Sequence, residues 1–233
     1  MMDTIEEQFN NLIKHIKDMD ITSSIERMEK ATDACQEILS WSDFLKSLFP
    51  DCCASELLDG AKSAMLESVA YIGLGLNRAA IGAMRTQIDL LLGFTFFYNH
   101  PHEWDSVNKT GSGFQLRSDI DKYHKETRKN FASNISVIEN SEGSSLLNIY
   151  RILSAHIHGQ SPLTVPKAGK FVELISSESF LDSLIELQFK VSRCISNYLT
   201  AIFLSEGINP PLNIGTRVKE QLTPQQRKTI FFK

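Results

Sequence analysis

Residues 148–162 read NIYRILSAHIHGQSP and gather Arg151, Ser154, His156 and His158 into a stretch of eight residues. An arginine is charged at every physiological pH, and its planar fork can hold a phosphate or the charge of a pentavalent transition state. A histidine titrates near neutrality and can move the proton of a ribose 2′-hydroxyl or of a leaving 5′-oxygen. Together they could cleave RNA without a metal, because the substrate carries its own nucleophile. At about 100° per residue, Arg151 and His158 fall nearly in line two turns apart, with Ser154 between them, while His156 lies roughly 140° round from Arg151. Two helical histidines so placed do not share a metal, so neither a metal nor another cofactor is expected. The same residues also fit a plainer role, with the histidines capping carbonyls and Arg151 in a surface ion pair.

Other stretches hold charge where chemistry or packing could use it. Residues 79–98 are apolar nearly all round, which marks a central helix, yet they carry Arg85 and Asp89 four residues apart on one face. A buried charge needs a partner; these two could pair with each other alone or join the Arg151 helix. A basic run, Lys122, His124, Lys125, Arg128 and Lys129, reads either as a solvated face or as a strip that touches RNA phosphates. GLGLNR at residues 73–78 lacks the Gly-x-Gly-x-x-Gly spacing and no strand precedes it, so close helix packing or a kink is expected there. NHPHEW at residues 99–104 reads as a histidine-rich turn.

The elements that must position these groups are helical. Stripes of helical period run through residues 5–16 and 25–49, the latter stopped by Pro50. Ser55 opens a third helix. A loop is expected over 107–113 and a short polar helix after Ser118. Another loop is expected over 140–145, then a helix from Leu146 that carries the opening motif. Residues 159–170 form a loop, with at most a short hairpin near 164–174, and Ser177 caps a last long helix that Gly207 stops. The expected fold is all-α, one helical domain over residues 1–206 with an extended C-terminal tail over 207–233. The two prolines, basic residues and terminal Ile-Phe-Phe of that tail suggest an interaction segment.

Composition narrows the function classes. A net charge of -4 leaves no broad basic field for nucleic acid, so such binding must come from a local patch. The most apolar run, residues 69–98, is broken by Arg78, Arg85 and Asp89, so no membrane span is expected. Four cysteines without a Cys-x-x-Cys pair or a secretory leader point to a reducing cytoplasm.

Arg-x4-His (Arg151 to His156) and Arg-x6-His (Arg151 to His158) near the end of a late helix resemble the signature of the HEPN superfamily. YRILSAHIHG is similar to the Tyr-x-x-Leu-Ser-x-x-x-His-Gly ending of some members, with His158 in the histidine position. RTQIDLLLGFTFFYNHP, residues 85–101, resembles the earlier core helix of those relatives, with an Arg-x-x-x-acid pair and a His-Pro turn. The resemblance spans roughly residues 55–198 and implies an up-and-down helical bundle, a homodimer that brings two motifs together, and metal-independent RNA cleavage in prokaryotic defence. It assigns Arg151 to the phosphate and His158 to proton transfer, with His156 as substitute. Asp89 and Arg85 would orient them, and Ser154 would hold a phosphate oxygen or a carbonyl. Implied partners are RNA and a regulatory protein such as an antitoxin, a nucleotidyltransferase or a defence ATPase. One departure stands out. Catalytic members commonly carry a polar residue after the arginine, where this chain has Ile152. A non-catalytic scaffold that binds a partner is the alternative.

Overall fold

The computed structural model describes residues 4–231, and these contain twelve α-helices and no strand. The helices are α1 (Ile5–Asp18), α2 (Ile21–Ala34), α3 (Gln36–Leu48), α4 (Glu56–Gly73), α5 (Asn77–Phe97), α6 (Pro101–Thr110), α7 (Arg117–Thr127), α8 (Phe131–Glu142), α9 (Leu146–His158), α10 (Glu178–Ser205), α11 (Leu212–Gln221) and α12 (Pro224–Phe231). The chain is thus an all-α helical bundle. None of these helices is long and apolar enough to cross a membrane.

The bundle is organised around α10. This helix packs against α2, α3, α4, α5, α8, α9 and α11, and from Val191 to Phe203 only Arg193 is not buried. Trp41 of α3 stacks on Phe203, with ring centroids 5.5 Å apart, and its indole N–H donates to Ser196 Oγ at 3.1 Å. One polar group inside this core is closely matched, although the buried Ser42 and Ser192 hydroxyls have no partner. Gln87 of α5 donates to Gln188 of α10 at 3.2 Å and accepts from it at 2.9 Å, while Ser68 of α4 donates to Gln188 at 2.9 Å. Each bond replaces one these groups would make with water.

The expected elements differ from the observed ones where the sequence carries no punctuation. The stripe over residues 25–49 is two helices, joined at a 3-10-like turn where the Cys35 N–H meets Thr32 O. Neither Gly nor Pro marks that break. The loop expected over 107–113 is shorter, because α6 runs to Thr110, supported by a Lys109–Asp105 pair at 2.5 Å, and ends at Gly111 with φ 67°. No hairpin forms near 164–174; a 3-10 turn, Phe171–Leu174, stands there. GLGLNR is the turn between α4 and α5. A Cβ on Gly73 would come within 2.6 Å of the Met28 side chain, and Gly75 sits at φ 76°.

The C-terminal segment corrects the expectation of a detached tail. Ile214, Val218, Leu222 and Ile230 are buried in the main core, and Arg217 is bonded to Glu37 and Glu142. Of the terminal Ile-Phe-Phe that looked costly in water, Ile230 is buried and Phe231 packs partly buried against the core. Phe232 and Lys233 lie outside the described residues.

Candidate functional site

α5 and α9 lie side by side, and their polar residues meet on one face. Both helices are amphipathic against the core, with Ile81, Met84 and Ile88 of α5 and Ile149 and Leu153 of α9 buried. That burial turns Arg85, Asp89, Tyr150 and His158 toward a shared opening. Arg85 is the hub. Its Nη1 donates to His158 Nε2 at 3.0 Å, and its Nη2 donates to the Tyr150 hydroxyl at 3.0 Å. Its Nε lies 3.6 Å from Asp89 Oδ2. The guanidinium carbon also sits 4.9 Å from the Tyr150 ring centroid, and that of Arg117, the first residue of α7, lies 5.3 Å from the same centroid.

The electrostatics follow from the count of charges: two arginines, one carboxylate and one histidine. Burial pushes the Asp89 carboxyl above its ordinary range, while Arg85, a hydrogen bond from Tyr150 and Arg117 hold it down. Burial also raises the Tyr150 hydroxyl, and Asp89 adds to the rise. A guanidinium has donors only, so the His158 Nε2 facing Arg85 carries the lone pair and the ring is the Nδ1–H tautomer. The side chains of Arg85 and Asp89 remain 22% and 35% exposed, so the cluster is open to solvent and to a ligand.

The expected residues divide. Arg85, Asp89 and His158 come together. Arg151 does not join them: it is exposed and, among the described residues, has no hydrogen bond or ion pair. It lies on the helical face of His158, about 10 Å away along the axis. Ser154 has a buried hydroxyl with no partner. His156 points elsewhere, into a cavity with Arg78, where burial and the Arg78 charge lower its pKa.

The basic run is not a continuous strip. Lys125 pairs with Asp121 at 2.6 Å and Lys122 with Glu126 at 3.9 Å. The Arg128 side chain is 7% exposed; it is ion-paired with Glu206 and bonded to Tyr98 Oη at 2.9 Å and His124 Nδ1 at 2.7 Å. Arg128 therefore ties the end of α7 to the end of α10 and cannot face a phosphate. Of the basic residues in this run, only Lys129 is left exposed and unpaired among the described residues.

Arg117 is the cluster member that the sequence did not single out, and Tyr150 entered only as the first position of the Tyr-x-x-Leu-Ser motif, with no role given to it. Tyr150 precedes His158 by eight residues, about 80° round the helix, within the span of one arginine with two arms. Nothing in the sequence marks Arg117, because its place depends on how α7 packs on α5. Among the described residues, no three His, Cys, Asp or Glu side chains group as a metal site requires. No protein-family model matches this chain, and comparisons with curated proteins and with solved structures give no match either.

Proposed function

We propose that this chain is a HEPN-like endoribonuclease of prokaryotic defence, a regulated toxin of the cytoplasm that cuts RNA without a metal. The observation that carries the reading is the Arg85–His158 contact at 3.0 Å in an open, net-positive cluster. In the free protein, Arg85 occupies the basic nitrogen of His158. A phosphate is a better acceptor for a guanidinium than a neutral imidazole. Bound RNA draws Arg85 onto the scissile phosphate and frees Nε2 to take the proton from the 2′-hydroxyl. The 2′-oxygen attacks phosphorus, the bond to the 5′-oxygen breaks, and a 2′,3′-cyclic phosphate remains. In-line displacement puts the entering and leaving oxygens on opposite sides of phosphorus. The proton for the 5′-oxygen therefore comes from a second group, and in a homodimer that group is the His158 of the other copy. Arg117 adds charge at the phosphate, and exposed Arg151 holds the neighbouring one. Asp89 and Tyr150 orient Arg85.

Cleavage of single-stranded RNA in EDTA tests this. The expected products carry 2′,3′-cyclic phosphate and 5′-hydroxyl ends, and DNA stays intact for want of the 2′-hydroxyl. Loss of cutting on chelation, or 5′-phosphate ends, refutes the mechanism.

A second reading has its own observation. Ile152, beside Arg151, is 45% exposed where a polar residue would suit RNA better. It favours a HEPN-like scaffold that binds a partner such as an antitoxin, a nucleotidyltransferase or a defence ATPase. Expression in a host separates the two: a harmful wild type with a harmless His158→Ala supports the nuclease, and equal tolerance of both supports the scaffold.

A further inference from the structure

The last turn of α9 separates two different places. His158 belongs to the polar cluster, whereas His156 faces a cavity of 680 Å³ between the start of α5, the loop after α9 and the start of α10. Its wall is mostly apolar: Leu76, Ile81, Val165, Leu174 and Phe180 contribute, and Leu163, 93% exposed, stands at its mouth. A volume in this range fits a small molecule, and wholly structural gaps are far smaller.

The charges in the wall are unequal in what they have left to give. Arg78 donates one N–H to the Ile157 carbonyl at 2.5 Å and keeps its other donors. Lys167 is exposed, with no ion partner among the described residues. His156 adds a ring whose proton affinity is lowered by burial and by Arg78. The single acid, Glu173, is already used: its Oε2 accepts from the Gly169 N–H at 2.7 Å and the Lys170 N–H at 3.3 Å. Donors therefore exceed acceptors at this end. The α5 terminus that opens there has no side-chain cap, so its positive end is not neutralised.

The cavity also has a direction. A second space of 240 Å³ shares Ile81, His156 and Phe180 with it and continues between α9 and α10 past Ile149, Ile152, Leu184 and Leu187. The two adjoin as one path, with Arg78 and Lys167 at the end near α5, apolar residues along its length, and Ser183 and Lys190 at the far end. Among the described residues, Phe180 is the one phenyl ring in either wall, beside the His156 imidazole. A narrow aliphatic path suits a flexible chain better than a stack of flat rings, and a charged head left in an apolar wall would need the cations found here.

We infer that this path binds a small amphiphilic anion, with an aliphatic tail under Phe180 and a carboxylate or phosphate head between Arg78 and Lys167. The site stands apart from the Arg85–His158 cluster, and binding does not depend on RNA cleavage.

Titration calorimetry on the full chain with sodium dodecanoate, dodecyl phosphate and neutral dodecanol tests it. The expected result is saturable one-to-one binding of one or both anions, and the better of the two identifies the head. Dodecanol should bind about tenfold more weakly or worse, and hexanoate about tenfold or more weaker than dodecanoate because of its shorter tail. Lys167→Gln lies on an exposed loop and should weaken the anions severalfold without changing the unfolding midpoint; Arg78→Gln should act in the same direction. Ala79→Trp, which fills the head end, should abolish binding while unfolding stays cooperative. No binding in the millimolar range, equal binding of dodecanol, or anion binding that ignores both the charge changes and the filled cavity would overturn the inference.

Discussion

Two clusters in this molecule use the same side-chain types to opposite ends. In the first, Glu37 of α3, Glu142 of α8, Arg193 of α10 and Arg217 of α11 meet in a closed, charge-matched group. Arg193 lies 3.0 Å from Glu37 and 3.4 Å from Glu142, and Arg217 lies 2.8 Å and 2.6 Å from the same two acids. Glu142 is 10% exposed, and Asn197 takes a further Arg217 donor at 2.9 Å. In the second, Arg85 and Arg117 share one carboxylate, Asp89, whose burial works against its charge. The first group balances its charges and is the less exposed of the two, so it joins four helices. The second is left positive and open, the state in which an anion would complete it. The two groups differ in the charge that remains unpaired.

The largest effect should come from breaking the balanced group. Glu142→Ala leaves two arginines facing one acid in a poorly hydrated place and should cost about 3–5 kcal/mol by urea unfolding. Arg85→Ala, in the open cluster, should change stability far less; equal losses would erase the distinction. For chemistry, His158→Ala should lower RNA cleavage about 10²- to 10⁴-fold and leave the unfolding midpoint almost unmoved, whereas His156→Ala should cut nearly as well as the wild type.

Asp89 sharpens the contrast through sign. Its folded-state pKa is raised, so the folded protein holds the Asp89 proton more tightly than the unfolded chain does. Stability from this group is present at low pH and is lost as pH rises through the folded pKa, so the ionised carboxylate opposes folding near neutrality. Asp89→Asn should therefore unfold at no lower urea concentration than the wild type while impairing cleavage. A marked loss of stability would make Asp89 a structural charge like Glu142.

His124 gives the reverse sign. Its ring lies between Thr95, 2.8 Å away, and Arg128, and burial holds its pKa down to about 3, below the ordinary 6.5. Stability from neutral His124 is complete above about pH 6.5 and falls as the pH drops toward 3, by at most about 1.4 kcal/mol per unit. Unfolding measured from pH 7 to pH 5 should show that slope, and His124→Gln should flatten it. The smallest effect is expected at Arg151. Its replacement by alanine should weaken RNA binding less than tenfold and reduce the salt slope by about 0.7, the share of one single-strand phosphate contact.

Much of this was legible in the sequence because helical periodicity states which face is buried. The central position of α5 follows from apolar spacing and Gly207 marks the end of α10, whereas Ser177 starts that helix without a side-chain cap bond and the meeting of Arg85 and Asp89 with α9 was one of two readings left open. What was not legible depends on distant packing. The break at Cys35 has no local signal, since Ala31, Ala34, Cys35 and Ile38 are all buried across it. Arg128 looked like part of a basic strip because Glu206, its partner, lies seventy-eight residues away. The C-terminal residues read as a tail because short helices of mixed polarity show little period, and only the groove they cover explains their apolar residues. At the site, helix geometry placed Arg151 and His158 on one face but could not show that Arg85 reaches the histidine first.

The long helix at the centre has a consequence for how the protein is made. α10 is 28 residues long and begins at residue 178, and its partners include helices from both ends of the chain. Trp41 waits for Ser196 across 155 residues, and Gln87 waits for Gln188 across 101. At a ribosome's pace of about 5–20 residues per second, the parts of α2 to α5 that α10 covers stay exposed for on the order of ten seconds or more before α10 emerges. During that interval α4 and α5 can pack on each other, but the apolar surface meant for α10 is left to water, which makes the nascent chain a natural client for a chaperone. A message cut short before α10 should yield an aggregate, not a smaller folded protein.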